Sequence, residues 1–124
     1  MTNNSETMAN KVVSKLVELK AQDIVVMNII DLTIIADYFV VCTARNDAHM
    51  NALKKDVLDM MEEIEIFAKK AEGTSESGWI LIDWKDVILH IFKETEREFY
   101  DLERVWGDSA MTRIDADTYE TPSV

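Results

Sequence analysis

Apolar positions mark out the elements of this chain one after another. Met8, Val12, Leu16 and Leu19, with Val13 and Val17 beside them, recur at steps of three and four, which predicts an amphipathic helix closing near Lys20. From Ile24 the pattern becomes nearly continuous in apolarity and rich in β-branched residues over 24–29, and a second such run covers 36–43. Both fit central strands covered on two faces. Asn46 or Asp47 can accept from the free amides of a helix start, and Met50, Leu53, Val57, Met60, Met61 and Ile64 follow at helical spacing. A short strand is expected within 67–72, then an exposed turn of small polar residues over 73–78.

The runs 79–84 and 87–92 are separated only by Lys85 and Asp86, so they are expected to pair as an antiparallel hairpin. Residues 94–106 place acids in a first turn, where the helix dipole favours them, and Gly107 just past the end, which predicts one continuous third helix. The stretch 109–124 mixes Asp, Thr and Ser with few apolar residues and holds the only proline, Pro122; it reads as a mobile tail after a single domain over 1–108. Helix, strands, helix, strands, helix in that order point to the α/β or α+β class: a mixed sheet with helices packed on it.

Composition narrows the partners. In 124 residues, 48% of them hydrophobic, there is enough apolar material for one core and too little chain for two. Twenty-four Asp and Glu against 13 Lys and Arg give a net charge of −11, which disfavours direct binding to nucleic acid and suits a basic protein partner. The single cysteine, Cys42, permits no intrachain disulfide and fits a reducing cytosol. The first dozen residues have neither the apolar core of a secretory signal nor the arginines of a transit peptide. No apolar run approaches the roughly 18 residues that span a membrane.

Few residues suggest catalysis. Asp83 and Asp86 flank the hairpin turn and could in principle hold Mg²⁺, but Asp is also a turn former. Asp115 and Asp117 lie in the tail, where geometry is poorly held. His49 and His90 have no neighbouring Cys or Ser to form a nucleophile pair, and with three glycines in the chain there is no glycine-rich phosphate loop. No catalytic group, metal or cofactor is expected. The aromatic residues are more telling. Trp79 and Trp84 differ by an odd number of positions, so a regular strand points them to opposite faces. Six acids against two bases over 94–108 surround this region, and an exposed aromatic among acids has the composition of a hot spot for a basic partner. Both indoles buried on the two sides of a covered sheet would fit the spacing equally well.

Several segments are familiar: Ala36-Asp37-Tyr38-Phe39-Val40, Cys42-Thr43-Ala44-Arg45-Asn46, Gly78-Trp79-Ile80-Leu81-Ile82-Asp83, Asp86-Val87-Ile88-Leu89-His90-Ile91-Phe92, and Phe99-Tyr100-Asp101-Leu102-Glu103-Arg104-Val105-Trp106-Gly107-Asp108. In unbroken order from Val12 to Asp108, the chain resembles the ribosomal silencing factor family, also called Iojap-like. The resemblance implies a cytosolic, non-catalytic factor. Such a factor binds the large ribosomal subunit through its fourteenth protein, a basic protein on the face that meets the small subunit, and blocks subunit joining. It also implies links to translational shutdown when nutrients fail and to late large-subunit assembly. The family's fold is similar to that of nucleotidyltransferases, but here Thr43-Ala44-Arg45-Asn46 stands where their Gly-Ser helix start would be.

Carried onto matching positions, the family interface implies Trp79 and Trp84 as aromatic anchors and Asp83, Asp86 and His90 as polar partners. Tyr100, Asp101 and Arg104 would be further members, with Tyr100 and Arg104 sharing a helix face by their spacing. Lys85 puts a cation between the two turn acids, which weakens attraction to a basic patch. Two other readings are a divergent nucleotidyltransferase using Asp83 and Asp86, and a homodimeric module with the strand ending in Phe92 as an open sheet edge.

Overall fold

The computed structural model describes residues 4–120. The elements are α1 (Asn4–Glu18), β1 (Gln22–Asn28), β2 (Tyr38–Ala44), α2 (Asp47–Glu63), β3 (Lys70–Glu72), β4 (Trp79–Asp83), β5 (Val87–Lys93), α3 (Glu94–Tyr100), α4 (Leu102–Val105) and β6 (Ala110–Arg113). The six strands form one sheet in the order β3-β4-β5-β2-β1-β6, with β2 and β5 parallel and every other neighbouring pair antiparallel. The sheet is therefore mixed and the class α+β.

The helix-period stripe places Val12, Val13 and Leu16 of α1 and Met50, Leu53, Val57 and Met61 of α2 over one sheet face, where they meet Val40, Cys42, Ile80, Ile82, Leu89 and Ile91. The residues between these on the strands turn the other way. Val25, Met27, Phe39, Val41, Ile88 and Phe92 form a second buried cluster, partly roofed by Leu102 and Trp106 from α4. All seven residues of β2 are buried because the strand has a layer on each side, as its unbroken apolarity predicts.

Local chemistry explains the junctions. The Asn46 side chain accepts from the His49 amide at 2.8 Å and caps α2. His49 is itself a strut: its Nδ1 accepts from the Arg45 amide at 3.0 Å while its Nε2–H reaches the Leu19 carbonyl at 2.9 Å. At Gly73, where φ is +90°, a Cβ would lie 2.0 Å from the Trp79 carbonyl oxygen, so the turn into β4 requires glycine.

Three expectations are corrected. The third helix is not continuous: Asp101 adopts a left-handed conformation, with φ 46° and ψ 57°, ending α3 and starting α4. Asp tolerates that region, so a run of good helix formers still breaks there. Tyr100 and Arg104 consequently do not share a helix face. The chain after Asp108 is not a free tail: residues 110–113 pair with β1, Ile114 and Tyr119 pack on the helix-covered core, and Tyr119 hydrogen bonds Ser14 at 3.0 Å. Positions 121–124, including Pro122, lie outside the described residues. Finally, β5 is internal, paired on both sides, so the strand ending in Phe92 offers no open edge.

Candidate protein-binding face

The alternation of β4 sends Ile80 and Ile82 into the helix-covered core and leaves Trp79, Leu81 and Asp83 on the other face, each half-buried. Register with β5 sets Trp79 opposite Phe92, Leu81 opposite His90 and Asp83 opposite Ile88. Trp79 stacks on Phe92 with ring centroids 5.1 Å apart and leans on Tyr100 at 4.5 Å. The aromatic contacts continue from Phe99 through Tyr100, Trp79 and His90 to Phe39 and Trp106. Phe99 and Tyr100 are the exposed end of this belt.

The Trp79 indole Nε1–H donates to His90 Nδ1 at 3.1 Å. That bond requires the unprotonated Nδ1, and burial does push the His90 pKa down to about 4, so the ring is neutral at pH 7. The only polar group of Trp79 is thus satisfied inside the protein, and its ring is held in one orientation as an apolar contact surface. A partner can be met without first ordering this side chain. His90 itself is only 4% exposed, and its Nε2 has no hydrogen-bond partner among the described residues. It stands behind Trp79 and is not on the surface, which corrects its expected place as a direct polar partner.

Trp84 is corrected as well. The odd spacing sends it to the helix-covered side, where it is 5% exposed and belongs to the core. Of the two expected anchors, only Trp79 is available. Asp83 lies on the same sheet face as Trp79, and its Oδ1 accepts from the Lys85 amide at 2.7 Å. Lys85 takes the left-handed conformation that closes the turn, with φ 77°. Asp86 is half-buried in the same turn, and its carbonyl accepts from the Asp37 and Tyr38 amides at 2.8 and 3.1 Å. The site therefore brings together Trp79, Tyr100 and, from behind, His90, with Asp83 on the same sheet face at the other end of β4. Asp101 serves the α3–α4 link, and Arg104 lies exposed beyond that break.

One functional device was not foreseen. Arg97 donates from Nε and Nη2 to the two carboxylate oxygens of Glu103 at 3.1 and 3.0 Å, and from Nη1 to Thr43 Oγ1 at 2.9 Å. This clamp ties α3, α4 and β2 together. Burial alone would raise the Glu103 pKa, but the bonds and charge of Arg97, with Arg113 nearby, hold it below the usual carboxylate value. Arg97 and Glu103 are six apart, a spacing that does not meet on one helix, so only the break at Asp101 makes the pair. Among the described residues no three His, Cys, Asp or Glu side chains gather as metal ligands. Cys42 is fully buried, its thiol pushed up to about 12 by that burial, so it is a protonated apolar filler. None of the described helices is long and apolar enough to cross a membrane.

A mixed sheet with two helices on one face and an aromatic belt on the other defines a small α+β domain with a half-exposed aromatic face. The family model described as "Ribosomal silencing factor during starvation" matches residues 2–123, and the chain belongs to that family. It is 35% identical over 96 residues to the ribosomal silencing factor RsfS of Bacillus subtilis, covering 77% of this chain and 81% of that protein. A more distant relative, the mouse "Mitochondrial assembly of ribosomal large subunit protein 1", is 26% identical over 86% of this chain and 50% of that one. The fold matches a crystal structure of a Chromobacterium violaceum protein with a TM-score of 0.79 at 24% identity, covering 91% of this chain and 95% of the other.

Proposed function

We propose that this protein binds the large ribosomal subunit through its fourteenth protein and, by occupying the face that meets the small subunit, blocks subunit joining and represses translation. It acts in the cytosol, when nutrients fail or late in large-subunit assembly. Family membership supports the ribosomal role, and the observation that carries the mode of binding is the Trp79 ring, fixed by His90 and presented beside Tyr100 on the sheet face that also carries Asp83. A protein of net charge −11 is repelled by ribosomal RNA, so docking goes through a positive protein patch with an apolar centre. Trp79 supplies the apolar anchor, and Asp83 and Asp86 steer the approach. No chemical step is required; steric exclusion is sufficient.

The test is sedimentation of the purified protein with isolated large subunits, isolated small subunits and joined ribosomes. Wild type comigrates with the large subunit alone, and Trp79→Ala stays at the top of the gradient while keeping its circular dichroism spectrum. Binding of Trp79→Ala equal to wild type would overturn the anchor assignment, and absence of wild-type binding would overturn the function.

A further inference from the structure

Between β1 and β2 the chain passes through 30–35, a turn that neither the core nor the aromatic belt absorbs. Ile30, Leu32, Ile34 and Ile35 are all exposed there, Ile34 completely. The turn is nevertheless a built one. Its roots, Ile29 and Ala36, are buried in the cluster that backs Trp79. The Ile29 amide donates to the Asp37 carbonyl at 2.9 Å, the Ile30 amide to the Asn28 side chain at 3.1 Å and the Ile35 amide to the Thr33 hydroxyl at 3.2 Å. Four branched apolar side chains exposed within six residues of one ordered turn are unlike the single apolar residues scattered over any surface.

Its surroundings indicate what covers it. Asp37 and Tyr38 donate to the Asp86 carbonyl, so the turn sits at the same end of the sheet as the β4–β5 turn. Asp31 and Asp37 lie in or beside this turn, Asp83 and Asp86 flank the neighbouring one around Lys85, and none of these four carboxylates forms an ion pair among the described residues. Such a patch repels nucleic acid and anionic lipid alike. An apolar knob at a sheet end that also carries unpaired acids is complementary to a basic protein surface with an apolar recess.

We propose that the 30–35 turn is a second docking element, which inserts into an apolar recess on the same basic partner that receives Trp79. The inference rests on the large-subunit reading above. Because Ile29 and Ala36 share a buried cluster with the backing of Trp79, the knob and the ring are held at a fixed separation and reach a partner as one rigid unit.

The experiment compares wild type, Trp79→Ala, Ile34→Ser and the double variant Ile34→Ser/Ile35→Ser in titrations against purified large subunits, with analytical ultracentrifugation of each free protein. Both serine variants unfold thermally as wild type does, since the changed side chains are exposed. The double variant binds roughly tenfold or more weakly, the scale expected when two branched side chains no longer leave water. Ile34→Ser alone, at the fully exposed position, shows part of that loss. Wild-type affinity in the double variant would overturn the docking element and leave the Trp79 reading standing. Failure of wild type to bind large subunits would overturn that parent reading and the knob with it. A change in self-association with subunit binding intact would assign the knob to a second copy of the chain and also overturn the proposal.

Discussion

Trp79 and Trp84 are the same residue type on one strand and its turn, and the parity of their positions gives them different work. Trp84 fills the core under the helices, so Trp84→Ala is expected to cost about 3–5 kcal/mol in urea denaturation, the range for emptying a buried aromatic site. Trp79→Ala, at a half-buried site, is expected to cost less than half of that and to keep the fold. Equal losses at the two positions would contradict their assignment to different faces. His90 adds a pH dependence. Burial lowers its pKa to about 4 from 6.5, so the unfolded chain takes up this proton first as pH falls. The stabilisation from keeping His90 neutral is complete above pH 6.5 and is lost as pH falls toward 4, a change of roughly 3 kcal/mol. Urea midpoints measured from pH 7 to pH 4.5 should fall more steeply for wild type than for His90→Gln; parallel curves would contradict the buried neutral ring. The parity of the tryptophans was legible in sequence. The service of His90 to Trp79 was not, because it depends on hairpin register and burial and not on spacing along one strand.

At the level of elements, what was legible is what is local. Helical stripes located α1 and α2, the cap of α2 was narrowed to Asn46 or Asp47, of which the structure uses Asn46, and the two-residue gap at Lys85 and Asp86 forced the β4–β5 hairpin. Long-range pairings were not legible. The parallel pairing of β2 with β5 makes β5 internal, and β6 is held by its ladder to β1 although all four of its residues are exposed, which leaves no hydrophobic pattern to read. The break at Asp101 was hidden because 94–106 reads as one run of helix formers, and the Arg97–Glu103–Thr43 clamp that accompanies it includes a contact to Thr43, 54 residues away. Ending the chain after Asp108 therefore removes part of the sheet. This truncation is expected to lower unfolding stability by roughly 2–4 kcal/mol, from lost burial of Ile114 and Tyr119 and lost β1 pairing. It also exposes the β1 edge, and light scattering should detect self-association. An unchanged urea midpoint would mean that 109–120 contributes nothing to the domain.

For the molecule as a whole, the account joins a strongly acidic surface to one rigid apolar face. Under the proposed function the acidic charge steers encounter with a basic surface and the ring and knob supply short-range affinity, so association should slow with salt more than dissociation quickens. The sequence already carried the acidic charge and the family resemblance. Of the two tryptophans it offered as anchors, the structure leaves Trp79 half-exposed and buries Trp84, because presentation to solvent is decided by the layers on each side of the sheet. The most direct test of the central claim is subunit joining followed by light scattering, with large subunits preincubated with increasing amounts of this protein before small subunits are added. The account predicts a titratable block by wild type that saturates near one protein per large subunit and is absent with Trp79→Ala. Normal joining by large subunits that carry bound wild-type protein would contradict it.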